Sequence, residues 1–551
     1  EEEFALLEQV RHNSTDGPFF LRFKKAGTLE PRQLAVLEEL LQWRDSEAQR
    51  RDCPSFKVLN NAPLLEVARR MPASMRALGG VEGMVPRLVK RYGGALLTAV
   101  EAGRAVPEAA LPVYPRGEPR QRDPEAEARV AEIAGRDITF QTRDVENVER
   151  ILQDVRQHGD QAVISYVNRF DAPGMSADAL AVTADEMAAA AEAVDDGFLN
   201  ALERAASQIE AFHRHQVRKS WIQMDRPGTF LGQLVNPVDA VGVYVPGGKG
   251  GTTPLVSSVL MGGIPAQIAG VKTICLATPP MENGSVNPYL LAAARRVGIT
   301  KIFKIGSAWA VGALAYGTES IPKVDVIVGP GNIYVTLAKK LVAGTVGIDM
   351  IAGPSEILVI ADRRANPDFV AADLLSQAEH DPLASAILVT DSTELAQAVE
   401  QAVESQLAAL ARRDIARESL DKFGAIMVVH DLDAAFDLSN RFAPEHLELQ
   451  IAEPLEHVGK IRNAGAVFMG DYTPEPVGDY IAGPNHVLPT AGTARFSSAL
   501  SVDNFIKKTS LLRYSRAAFE REAEDILRLA EIEGLGAHAN SVRIRLGGKK
   551  S

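Results

Sequence analysis

Cysteine is nearly missing: the 551-residue chain has two, Cys53 and Cys275. Two cysteines so far apart exclude a disulfide framework and a cysteine-rich zinc site. Cys275 lies in the apolar run Val271-Lys-Thr-Ile-Cys-Leu-Ala, which reads as a strand, so its thiol is expected to be a small buried apolar group and not a nucleophile. No apolar stretch of bilayer-spanning length is free of glycine, proline and polar breaks, so no membrane partner is expected. The start has no basic-then-apolar signal-peptide pattern. Together with the few cysteines, this predicts a cytoplasmic protein. Excess positive charge is lacking too: the net charge is −12, which argues against nucleic acid as the main partner. Residues 1–120 carry 18 Lys+Arg and 16 Asp+Glu, so the acidity belongs to the remainder.

What is present is a large apolar fraction, 46%, beside 24% charged residues, enough for several cores. Residues 1–110 read as helices. Pro31 opens one with an apolar stripe of Leu34, Leu37, Leu40 and Leu41. Another covers Pro63-Leu-Leu-Glu-Val-Ala, a third runs from Pro86 to Tyr92, and a fourth contains Ala95-Leu-Leu-Thr-Ala-Val. The charged, proline-rich stretch 111–127 reads as a linker. Residues 128–236 read as a helical lead-in that starts a first α/β domain. Residues 237–356 form a second α/β domain with glycine-rich loops, 357–510 return to the first, and 511–551 make a helical tail. Short apolar runs such as Ala240-Val-Gly-Val-Tyr-Val and Ile357-Leu-Val-Ile-Ala alternate with helical patterns, which predicts parallel sheets covered on both faces. Two β-loop-α units look alike, as an internal duplication would leave them.

Two strand-to-helix turns are rich in glycine: Tyr244-Val-Pro-Gly-Gly-Lys-Gly-Gly-Thr-Thr-Pro254 and Val328-Gly-Pro-Gly-Asn-Ile-Tyr-Val335. Such turns allow a ligand to approach backbone and helix N-terminus closely. Neither completes GxGxxG, and no Gly-Lys-Ser/Thr of a P-loop occurs; a plain tight turn explains each equally well. In Asp373-Leu-Leu-Ser-Gln-Ala-Glu-His380, Gln377 and His380 are three apart and share a helix face, which suits metal coordination. A neutral glutamine ligand calls for a carboxylate elsewhere, and Asp479 and His538 are candidates of the right chemistry. Glu445 and His446 stand side by side as acid–base equipment, though a chance pair is common. His486 is a further loop histidine.

Taken together, Tyr244-Val-Pro-Gly-Gly, Gly329-Pro-Gly-Asn, Ala352-Gly-Pro-Ser-Glu, Ser376-Gln-Ala-Glu-His, Ala443-Pro-Glu-His-Leu, Gly478-Asp-Tyr with Gly483-Pro-Asn-His-Val-Leu-Pro-Thr, and Ala537-His-Ala resemble histidinol dehydrogenase, in that family's order, over residues 130–548. The resemblance implies two Rossmann-like parallel-sheet α/β domains without the standard GxGxxG, with helical extensions at both ends. It implies one Zn2+ per subunit on Gln377, His380, Asp479 and His538, with Glu445 and His446 as the catalytic pair. Ser355, His486 and Glu533 match substrate-holding positions beside Gln377, His380, His446, Asp479 and His538. Tyr244 and Asn332 match NAD contacts. Trp309, in Gly306-Ser-Ala-Trp-Ala, stands where the family usually has glutamine. The implied reaction takes L-histidinol to L-histidine through histidinal with two NAD, the last step of histidine biosynthesis. The family is a homodimer with a shared active site. The alternative within the family is a relative that oxidises another amino or sulfonated alcohol.

Residues 18–105 resemble the all-α HRDC module of ribonuclease D and RecQ-type helicases, through Leu29-Glu-Pro-Arg-Gln-Leu-Ala-Val-Leu-Glu-Glu-Leu-Leu-Gln-Trp-Arg, Phe56-Lys-Val-Leu and Arg91-Tyr-Gly. A net of +2 over 120 residues predicts weak, salt-sensitive nucleic-acid affinity. A nucleic-acid-binding fusion protein that works through this module is the reading from a different functional class.

Overall fold

The computed structural model describes residues 18–23, 26–51, 55–112, 124–135, 140–248 and 251–547. Cys53, most of the proline-rich linker, and Lys249-Gly250 of the first glycine loop lie outside them, as does the side chain of Phe56. The chain divides into two compact units, Glu1–Arg122 and Asp123–Ser551.

Among its described residues, the regular elements of the front unit are all helices. Leu34, Leu37, Leu40 and Leu41 of the helix Pro31–Arg50 are buried, as the stripe predicts. The expected third and fourth helices are one, Pro86–Ala105, which runs through Gly93-Gly94. These glycines do not break the helix because tertiary packing outweighs their low propensity. A Cβ on Gly93 would stand 2.6 Å from Met75 Cε, and one on Gly103 would stand 2.4 Å from Val36 Cα. Glycine is what lets the two long helices touch.

Among its described residues the second unit holds thirteen strands, β1 (Trp221–Gln223), β2 (Thr229–Pro237), β3 (Ala240–Tyr244), β4 (Thr273–Thr278), β5 (Lys301–Lys304), β6 (Val326–Val328), β7 (Gly347–Ile348), β8 (Glu356–Ala361), β9 (Ser385–Thr390), β10 (Ala425–Val428), β11 (His446–Gln450), β12 (Ala466–Met469) and β13 (Ile506–Tyr514). Two five-stranded sheets are parallel throughout, ordered β5-β4-β3-β6-β7 and β10-β9-β8-β11-β12. In chain order each is 3-2-1-4-5, the Rossmann arrangement built twice. Every residue of β8, β9 and β11 is buried; β8 and β9 read as apolar runs for that reason, whereas β11, His-Leu-Glu-Leu-Gln, alternates polar and apolar residues although both its faces are covered. Cys275 is fully buried in β4, and burial pushes its thiol up to about 11, so it is inert.

The segment Thr142–Phe170 bends at Gly159 (φ 52°) and packs on the helices Ser307–Tyr316 and Ile333–Val342 of the first sheet. A third sheet, β1-β2-β13, is antiparallel and lies in stretches that read as helical or irregular. β13 begins Ile-Lys-Lys-Thr-Ser, and no residue of it is buried. Without a buried face there is no period-two contrast to read. The helices Arg516–Ile532 and Gly536–Arg545 follow it. Among the described residues, no helix is long and apolar enough to cross a membrane.

Candidate functional site

The strand order of each sheet reverses beside its first strand, between β3 and β6 in one and between β8 and β11 in the other. Open α/β sheets bind ligands outside the carboxyl ends of the strands at such a reversal. The first sheet has its glycine loops there. Tyr244 ends β3 and is buried, with its hydroxyl accepting from Ser307 N–H at 3.1 Å. Burial pushes that phenol up to about 12. Gly329 follows β6 at φ 117°, and a Cβ on it would stand 2.0 Å from the Tyr244 carbonyl oxygen, so only glycine lets the two loops meet. The Gly329 loop is braced from below. Its N–H donates to Asp349 Oδ2 at 2.8 Å, and the buried Lys339 donates to its carbonyl at 3.0 Å while pairing with Asp349. Asn332 caps the next helix, its Oδ1 accepting from Tyr334 and Val335 N–H.

Trp309 offers no open face: it is 5% exposed and stacks on Tyr166 and Phe170 at centroid distances of 5.5 and 5.6 Å. Its indole N–H is buried without a partner. Its stacking is taken up by the chain's own rings.

In the second sheet the titratable groups collect at the opposite edge, the amino ends of β8 and β11. The helix Leu432–Phe442 closes on Ala443 at φ 53°, and the chain turns through Pro444 into Glu445 and His446. A strained non-glycine turn delivering two buried ionisable side chains is typical of a working site. His446 Nδ1 is 3.0 Å from the Glu356 carbonyl oxygen. A carbonyl only accepts, so the proton sits on Nδ1 and Nε2 keeps its lone pair. Burial, helped by His380 and His486, pushes His446 down to about 4, so the ring is neutral near pH 7. Glu445 Oε2 accepts from Glu356 N–H at 3.0 Å and lies 3.8 Å from His446 Nδ1. Burial and the carboxyls of Glu356, Glu475 and Asp479 raise Glu445 well above the usual carboxylate range.

The helix Pro367–Ala378 returns antiparallel to the sheet, so its last turn reaches the same edge. It brings Gln377, fully buried, and His380, exposed just past its end, with Gln377 Nε2 and His380 Nδ1 3.5 Å apart. The half-buried Asp479 comes from the short helix Glu475–Tyr480, with burial pushing it up to about 6. His486 follows with its ring bonded to the Asp479 backbone, and burial pushes it down to about 4. Ser355 is half-buried immediately before β8. Glu533 and His538 stand elsewhere: both are exposed on the tail that follows β13, and neither has a resolved partner at this edge within the chain.

The site fits a zinc ion on the chemistry of its donors. Gln377 Oε1 is buried without a hydrogen-bond partner, an acceptor waiting for a donor or a cation. An amide oxygen, an imidazole and a carboxylate make a reasonable zinc set short of one ligand. Among the described residues, the metal-sized group of histidine and acid atoms is His446, Glu475 and Asp479, all within 4.8 Å of one another.

Glu475 and Glu356 did not stand out in the sequence, because a lone glutamate reads as surface. One signal was available: Glu475 precedes Asp479 by four, one helix turn, in Glu475-Pro-Val-Gly-Asp-Tyr. Glu475 is 3% exposed, and burial together with Asp479 and Asp373 pushes it up to about 8.

A Rossmann strand order built twice, with glycine turns on one sheet and a buried glutamate–histidine pair on the other, suits an α/β oxidoreductase. A family model described as histidinol dehydrogenase matches residues 136–546, and an HRDC domain model matches residues 33–100. Histidinol dehydrogenase of Desulfotalea psychrophila is 57% identical over 399 residues, 72% of this chain and 92% of the relative. That of Nitratidesulfovibrio vulgaris is 57% identical over 398 residues, covering 72% and 91%. The crystal structure of histidinol dehydrogenase from Elizabethkingia anophelis superposes with a TM-score of 0.72 at 41% identity, covering 76% of this chain and 96% of that one. The chain belongs to the histidinol dehydrogenase family and carries an HRDC domain in front of the dehydrogenase part.

Proposed function

We propose that this chain oxidises L-histidinol to L-histidine through histidinal, reducing two NAD per substrate, as the last step of histidine biosynthesis. The observation that carries the reading is the convergence of Glu445, His446, Gln377, His380 and Asp479 on one edge of the second sheet, with the His446 tautomer fixed by Glu356. Zn2+ would be held by Gln377, His380 and Asp479 of one chain and His538 of a second copy, and would supply a Lewis-acidic centre that helps orient the substrate. NAD, which accepts the hydride, would lie at the Tyr244 and Asn332 loops.

His446 Nε2 removes the proton of the substrate hydroxyl as hydride departs. Glu445 then activates water for attack on the aldehyde, and the hydrate gives up the second hydride. A carboxylate whose charge is destabilised by burial is a stronger base than one in water, which suits this task. Ser355, next to Glu356, and His486, whose ring lies close enough to influence His446, would hold the substrate together with Glu533 of the second copy.

A homodimer with a shared site accounts for the exposed positions of Glu533 and His538. The arm carries uncovered apolar side chains, among them Leu512 (71%), Leu529 (62%), Ile532 (76%) and Ile544 (55%), which a second copy would bury. The front HRDC domain takes no part in the chemistry, and the reaction is placed in the cytoplasm.

The direct test is NADH production from L-histidinol by the full chain, before and after metal removal. Two NADH per histidinol, lost on chelation and restored by zinc, supports the reading. No histidinol-dependent NADH, with activity on another amino alcohol, sinks it.

A further inference from the structure

We propose that Glu475 is the positioning residue of His446, closing the side of the imidazole that Glu356 leaves open. The proposal rests on His446 being the base of histidinol oxidation.

A ring held by one hydrogen bond at Nδ1 can still swing about that bond. On the far side of the His446 ring, Glu475 Oε1 stands 3.7 Å from Nε2, and the Phe468 ring leans on the imidazole at 5.8 Å and 50°. Glu475 is itself fixed by the strand that carries the base: its backbone N–H donates to Glu448 Oε1 at 3.1 Å. Glu448 is two residues after His446 in β11, so both side chains lie on one face of the sheet. One strand therefore sets the imidazole and, through Glu448, the carboxyl that faces it.

Stability does not explain this placement. Glu475 Oε2 is buried with no hydrogen-bond partner, and an unpaired buried polar atom weakens a fold. Among the described residues, the carboxyls gathered at this edge face no buried lysine or arginine. What the position offers is an oxygen next to Nε2, close enough to reach hydrogen-bond length when that nitrogen gains a proton. The gap of 3.7 Å leaves the lone pair free beforehand. Glu475 thus keeps Nε2 aimed at the substrate and receives the imidazolium once it forms.

The test uses the full-length zinc-loaded enzyme with Glu475→Gln, which keeps size and polarity. The expected result is a kcat for histidinol about 10- to 100-fold lower. The KM is expected to stay within about twofold and the zinc content to match wild type, because in this proposal Glu475 acts through His446 and is assigned no ligand of its own. In a His446→Ala background the same change should cost nothing further, since positioning needs the ring. Should the glutamine variant fail to fold, Glu475→Asp, which widens the gap by one methylene, is put through the same measurements. Wild-type kcat in the variant, loss of zinc with the activity, or an equal loss in the His446→Ala background each overturns the proposal. A wild-type enzyme inactive on histidinol brings down the functional reading and this proposal together, whereas an active wild type with an unaffected variant removes this proposal alone.

Discussion

The two parallel sheets have the same strand order and gather their candidate functional groups at opposite edges. The first follows the general rule: its glycine turns sit at the carboxyl ends of β3 and β6, where Gly329 lies against the Tyr244 backbone. The second gathers Glu356, Glu445, His446 and Gln377 at the amino ends of β8 and β11. Topology alone therefore does not say which edge works. The side chains differ between the edges: glycine where two backbones come close, and buried ionisable groups where the proposed proton transfers would occur. The returning helix Pro367–Ala378 and the left-handed turn at Ala443 are what make the amino edge usable.

Substitutions at the two edges should separate chemistry from cofactor binding. The largest effect is expected for His446→Ala, which should slow both half-reactions by about 10²- to 10⁴-fold, read as kcat with histidinol and with supplied histidinal. Glu445→Ala should slow histidinal oxidation by about 10²-fold and spare the first hydride transfer, seen as a burst of one NADH. Equal loss in both steps would contradict the division of roles.

At the other edge, Gly329→Ala drives a Cβ into the Tyr244 carbonyl. It should raise the KM for NAD with a smaller change in kcat at saturation, and cost roughly 1–3 kcal/mol in thermal or denaturant unfolding. A normal KM for NAD would remove the cofactor from that crevice. The smallest effect on catalysis is expected in the front unit. Gly103→Ala, with its Cβ 2.4 Å from Val36 Cα, should lower the stability of that domain by about 1–3 kcal/mol and leave histidinol oxidation unchanged.

The same contrast governs how much the sequence revealed. Fully buried strands such as Glu356–Ala361 and Ser385–Thr390 announce themselves as apolar runs, and the i, i+3 spacing of Gln377 and His380 survives into the structure as neighbouring side chains. β1, β2 and β13 stayed hidden, because sparse burial leaves little pattern to read. Gly93-Gly94 looks like a break, yet Gly93 is a packing contact with Met75, which only the neighbouring helix reveals. Glu475 and Glu356 stayed hidden for the opposite reason: burial and a position next to His446 are tertiary properties that a glutamate in a string does not carry.

The metal is expected to join Glu445 and His446 at the amino edge of the second sheet. The most direct measurement is anomalous diffraction at the zinc edge from crystals of the loaded protein. The predicted result is one ion per chain between Gln377, His380 and Asp479, with His538 of a second copy completing the set. An ion held instead by His446 and Glu475, or one lying away from β8 and β11, would contradict it.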